Sequence, residues 1–253
     1  MLALNSYLRK VIGTVLEFCS VSGAAFVVGC GALAVSRVCQ VMAFFLPLKI
    51  FIVLSSGEVP VYFDFFPEEM EFQEIVLLLA GMVPVVYGLF IVLGILHRWL
   101  IDRHLTRFGS RELNIEGTKI PEKKMKRIHN HVSKAFSEVG LVVVSVLFGF
   151  ILDPMVAVAW IVILYVNLWI FYSKVFHVED HHRVTFLKLH RRQFIEYISS
   201  SNFLIVFAVL TIEMAYFDMG VYTGIFLLLV SRMVFQALNR FSVESLYILK
   251  LFP

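Results

Sequence analysis

VGLVVVSVLFGFIL (139–152), DP (153–154) and MVAVAWIVILYVNLWIFY (155–172) decide how this chain folds. Two apolar runs meet at one acidic residue and one proline, and the second run is broken only by Asn167. The pattern predicts two membrane-spanning helices joined by almost no loop. Pro154 suits the first position of the second helix, where the missing N–H would have had no helical partner. Asp153 marks the turn, while the far ends of both arms run into dense Lys, Arg and His. That asymmetry orients the hairpin and, with it, the chain.

Composition agrees. Of 253 residues, 59% are hydrophobic and only 16% are charged, and the mean hydropathy is +0.84. Soluble domains are about a quarter charged, so the sequence predicts an all-α integral membrane protein with the lipid bilayer as its main solvent. The segments 55–74, 153 and 213–218 together carry nine acids and no Lys or Arg. The stretch 97–134 carries ten Lys/Arg against four acids, and 173–197 carries five against three. The positive-inside bias then places both termini and both basic loops in the cytoplasm. The basic loops are read as topogenic, not as nucleic-acid-binding. No N-x-[ST] acceptor occurs, which fits a bacterial inner membrane.

Working outward, residues 1–20 have Leu4, Leu8, Val11, Ile12, Val15 and Leu16 at helical spacing, which predicts an interfacial helix. Residues 21–54 form one long span, about 50 Å at 1.5 Å per residue and therefore longer than the hydrocarbon core. Gly29 and Gly31 would bend it or admit a neighbouring helix. Cys19, Cys30 and Cys39 have no disulfide or zinc spacing. Val27-Val28-Gly29-Cys30 looks like a lipoprotein cleavage box, but the apolar run continues past it, so the segment is read as retained. Further spans are expected at 75–96, with Pro84 inside, and at 132–152, 155–173, 198–216 and 220–238, followed by an amphipathic tail over 239–253. No soluble domain and no internal repeat stand out.

Charges at membrane depth are the first candidates for chemistry. Arg37 lies 17 residues below the outer end of its span and Arg232 lies 12 below its own. An arginine at a helix centre costs roughly 2.5 kcal/mol or more, so it faces protein or a water-filled cavity, or snorkels. Gln40 shares a face with Arg37. Arg37, Gln40 and Arg232 are therefore the predicted substrate-binding residues, lining a cavity for an anionic or amphipathic substrate. All eight histidines fall on the basic side. His177-x-x-x-His181-His182 matches one box of membrane di-iron desaturases, and His177 and His181 would share a helix face as a metal pair needs. The family's other boxes have no counterpart at His97/His104 or His129/His131. No P-loop is present, since Gly117-Thr118-Lys119 completes none, and no G-x-S-x-G occurs. No intramembrane carboxylate pair is evident, which gives a proton-driven carrier little support.

The layout of six spans, a preceding surface helix, short external turns and two cytoplasmic loops resembles the transmembrane domain of six-helix, domain-swapped ABC exporters. GVYTGIFLLLVSRMVFQALNRFS (220–242) is similar to their sixth helix, and AFFLPLKIFI (43–52) to the Pro-containing outer end of their first. The resemblance implies two halves paired around a cavity lined by the first and sixth helices, which would bring Arg37 and Arg232 to it. It also implies that Arg111, Glu112, Asn114 and Glu116 lie on a coupling helix that docks an ATPase. The second cytoplasmic loop is short for such an exporter.

The expected function is thus a transport subunit that moves an amphipathic or anionic substrate, pairs with itself or a related membrane subunit, and depends on a separate ATPase. No cofactor of its own is expected. Two alternatives are a non-transporting scaffold or accessory subunit, and a metal-dependent membrane oxidoreductase built on His177, His181 and His182.

Overall fold

The computed structural model describes residues 13, 23–56, 71–108, 114–115, 118–119, 122–176, 189–217 and 219–251. Among them are six long helices: α1 (Ala24–Ser56), α2 (Phe72–Phe108), α3 (Glu122–Leu152), α4 (Pro154–Phe171), α5 (Arg191–Tyr216) and α6 (Val221–Leu251). All six are long and apolar enough to cross a bilayer, and the chain is an integral membrane protein. Between α2 and α3, β1 (Asn114–Ile115) pairs antiparallel with β2 (Thr118–Lys119). The expected interfacial helix lies outside the described residues, apart from Gly13, which is helical.

The 139–172 hairpin forms as its residues dictate. Asp153 alone separates α3 from α4, and its side chain accepts the Val156 N–H at 3.0 Å, capping α4, with Pro154 in the first turn. The arms close tightly because Gly149 has no side chain: a Cβ there would lie 2.8 Å from Trp160 Cζ3, and Trp160 is fully buried. At its other end α4 passes into a π-helical turn, Tyr172–Phe176.

Several helices outrun the spans expected from hydropathy. α2 continues to Phe108, α3 starts at Glu122, α5 starts at Arg191, and α6 runs unbroken to Leu251 through what reads as a separate tail. Hydropathy marks where apolar side chains end. A helix ends where its backbone is interrupted, not where its apolar side chains stop. The Lys, Arg and Glu residues between are good helix formers.

The helices alternate in direction. Ser36 Oγ of α1 donates to the Phe90 carbonyl of α2 at 2.8 Å, and His97 Nδ1 donates to the Gly29 carbonyl at 2.8 Å, so α2 runs antiparallel to α1. Gly29 makes that approach close: a Cβ would meet Leu100 Cβ at 3.2 Å. Gly31, its expected partner in this role, has nothing within 4 Å of a Cβ. α1 and α3 run parallel, with Phe26 against His129 and Cys30 Sγ donating to the Ser133 carbonyl at 3.6 Å. α6 is the hub, in contact with α1, α3, α4 and α5. It supplies Phe226, Leu227, Val230, Met233, Val234, Phe235 and Ala237 to the main core, which Leu141, Trp160, Val206 and Leu210 complete. Small polar residues let these helices approach. Ser133, Ser137, Ser231 and Ser245 are buried, and the last three donate to carbonyls of their own helices.

Candidate functional site

Three of the helices bring the predicted substrate-binding residues together. A cavity of about 600 Å³ is lined by Arg37 and Gln40 of α1, Tyr87 and Phe90 of α2, and Arg232, Gln236 and Arg240 of α6, with Phe44 on its apolar wall. On α6, Arg232, Gln236 and Arg240 recur every fourth residue and so share one face. On α1, Arg37, Gln40 and Phe44, spaced by three and four residues, also share a face. The cavity exists because α2 packs chiefly on α1 while α6 packs on α3 and α5, leaving space between the two groups.

The two arginines differ in environment. Arg37 Nη2 pairs with Glu138 Oε1 of α3 at 3.0 Å, and Arg240 Nε reaches the same oxygen at 3.6 Å. The Glu138 side chain is only 2% exposed, and its second oxygen, Oε2, is buried with no hydrogen-bond partner. Arg240 also donates to the Gln236 carbonyl at 3.2 Å, which ties it to its own helix. Arg232, by contrast, is exposed and makes no hydrogen bond or ion pair with the described residues. One arginine is thus neutralised by a buried carboxylate, and the other presents an unpaired positive charge.

Glu138 is the residue that sequence reasoning missed. Its neighbours at helical spacing, Ile128, Val132, Ala135, Leu141 and Ser145, are all buried, and Glu138 belongs to the same stripe. A charge in register with an apolar stripe was the available signal.

A second cavity of about 420 Å³ adjoins the first toward the basic ends of the helices. Arg37 and Arg240 line both, and Glu138, His97, Arg98, Asp102, Lys134 and Glu244 also line the second. Glu244 of α6 is held there by His131 Nδ1 and, at 3.9 Å, by Lys134 Nζ, while Tyr247 stacks on the His131 ring. A third cavity of about 310 Å³ shares Arg232 and Gln236 with the first and adds Ser199, Ser200 and Asn239.

The other predicted residues fall elsewhere. His177, His181 and His182 lie outside the described residues, among which no group of three or more metal-ligating side chains occurs. Arg111, Glu112 and Glu116 also lie outside them. Asn114 is in β1, paired with Lys119 of β2. No family model matches the chain, and no curated protein or solved structure matches it.

Proposed function

We propose that this membrane protein is a transport subunit of the ABC-exporter transmembrane type, and that the cavity between α1, α2 and α6 takes an amphipathic or anionic substrate. Arg232 carries the reading: an unpaired guanidinium shares a 600 Å³ cavity with Arg37 and Gln40. Tyr87, Phe90 and Phe44 offer the apolar tail of an amphiphile a wall, while the guanidiniums offer its head charge-assisted hydrogen bonds. In this reading the basic loops and both termini are cytoplasmic, and no cofactor takes part.

A second copy or a related subunit completes the cavity. Arg232, Gln236 and Gln40 are exposed on helices that cross the bilayer, and such groups facing lipid would be costly. In this reading ATP hydrolysis belongs to an ATPase partner, docked on the loop that holds Arg111, Glu112, Asn114 and Glu116. Charge reversal at Arg111 and Glu112 should abolish co-purification of that ATPase. The metal-dependent alternative at His177, His181 and His182 instead requires stoichiometric iron or zinc in the purified protein.

The direct test is binding of decanesulfonate, an amphipathic anion, to the purified protein in nonionic micelles. Arg37→Ala and Arg232→Ala should each weaken it by roughly tenfold or more, the worth of a hydrogen bond to a charged group. Wild-type affinity in both variants would remove the site.

A further inference from the structure

The cluster of Arg37, Glu138 and Arg240 stands in the wall between two cavities. Both guanidiniums line the larger cavity, where the substrate reading places an anion, and both also line the smaller one, which Glu138 lines with them. Glu138 holds them through a single oxygen, Oε1, and its Oε2 is buried without a partner. An anionic head group entering the larger cavity therefore meets guanidiniums that are already engaged, and it competes with Glu138 for them.

The outcome of that competition follows from charge. If the head group takes Arg37 and Arg240, Glu138 is left as a carboxylate in a site that is almost wholly buried. An uncompensated buried charge is costly, and neutralisation removes the cost. The other charged groups at the site do not replace the lost guanidiniums. Lys134, one turn earlier on α3, is held with His131 on Glu244 of α6. His97, Arg98 and Asp102 of α2 line the smaller cavity, and none of them pairs with Glu138. α4 carries no charged side chain between 154 and 171.

Resting on the substrate reading above, we propose that anion loading is proton-linked: the head group displaces Glu138 from Arg37 and Arg240, and the freed carboxylate takes up one proton. The proton comes from bulk solvent through the smaller cavity: an O–H bond of a hydronium ion breaks, leaving water, as an O–H bond forms on Glu138 and the ion pairs to it break. Nothing is oxidised or reduced. Anion and proton enter together, so the loaded site carries the same net charge as the empty one. When the anion leaves, the guanidiniums return to Glu138 and the proton departs. The substrate class is thus an anion carried with a proton.

Calorimetric titration of decanesulfonate into the purified full chain, in buffers of different ionisation enthalpy, counts the protons taken up. The probe's sulfonate holds its charge across the neutral range, so any proton taken up belongs to the protein. Wild type should take up about one proton per anion bound. Glu138→Gln should bind the anion with uptake near zero, and Glu138→Asp should restore it. The wild type gives a second readout that needs no variant. Since loading consumes a proton, affinity should fall as pH rises, by up to about tenfold per pH unit. Binding without proton uptake, pH-independent affinity, or undiminished uptake in Glu138→Gln would overturn the proposal and leave the cavity reading standing. Failure of the wild type to bind decanesulfonate would overturn both.

Discussion

Arg37 and Arg232 line one cavity, but mutation should separate them. Removing Arg37 leaves Glu138, 2% exposed, with only the longer contact to Arg240. Breaking one side of a buried pair leaves an uncompensated charge, so Arg37→Ala should cost about 3 kcal/mol of stability. The double variant Arg37→Ala/Glu138→Ala should lose less than the two single losses added together. Arg232 has no such partner among the described residues, and Arg232→Ala should change stability by less than about 0.5 kcal/mol while still weakening anion binding. Unfolding by dodecyl sulfate in mixed micelles measures both effects. At this scale the sequence was informative about depth and silent about pairing. The depths of Arg37 and Arg232 along their spans, with Gln40 on the face of Arg37, marked them as candidates, and it was the exporter resemblance that set them at one cavity. Glu138 was hidden because α1 and α3 meet through contacts about 100 residues apart in the chain, as between Cys30 and Ser133.

Along the elements, the 139–172 hairpin shows how much local chemistry a short stretch carries. Gly149 sits against the Trp160 ring, with 2.8 Å available to a Cβ. The ring is fully buried and cannot swing away. Gly149→Ala should therefore destabilise the protein by about 1–3 kcal/mol, as overpacking does. Gly31, also helical, has nothing within 4 Å, and Gly31→Ala should instead be neutral or stabilising by up to about 1 kcal/mol. Asp153→Ala removes the cap on Val156 N and should cost about 1 kcal/mol. The same unfolding assay ranks the three. The turn and the apolar arms were legible because Asp-Pro and hydropathy act locally. The helix ends were not, because the charged turns of α2, α3 and α6 lie beyond the apolar runs and are helical all the same, to Phe108, from Glu122 and to Leu251.

Across the whole molecule, α6 gathers α1, α3, α4 and α5 around itself, and α2 is held mainly through α1. The number of spans was readable from the six apolar runs. The hub was not, since the apolar run of α6 looks much like the others, and what distinguishes it is how many neighbours bury it. The alternating directions of the helices carry the account, because they place both basic loops on one side of the bilayer. The measurement that tests this most directly is thiol labelling in intact vesicles. Cys19, Cys30 and Cys39 are replaced by serine, and single cysteines are introduced as Glu68→Cys and Lys124→Cys. The account predicts that a membrane-impermeant reagent reaches the two from opposite sides. Labelling of both from the same side would contradict the six-span layout and the arginine-lined cavity built on it.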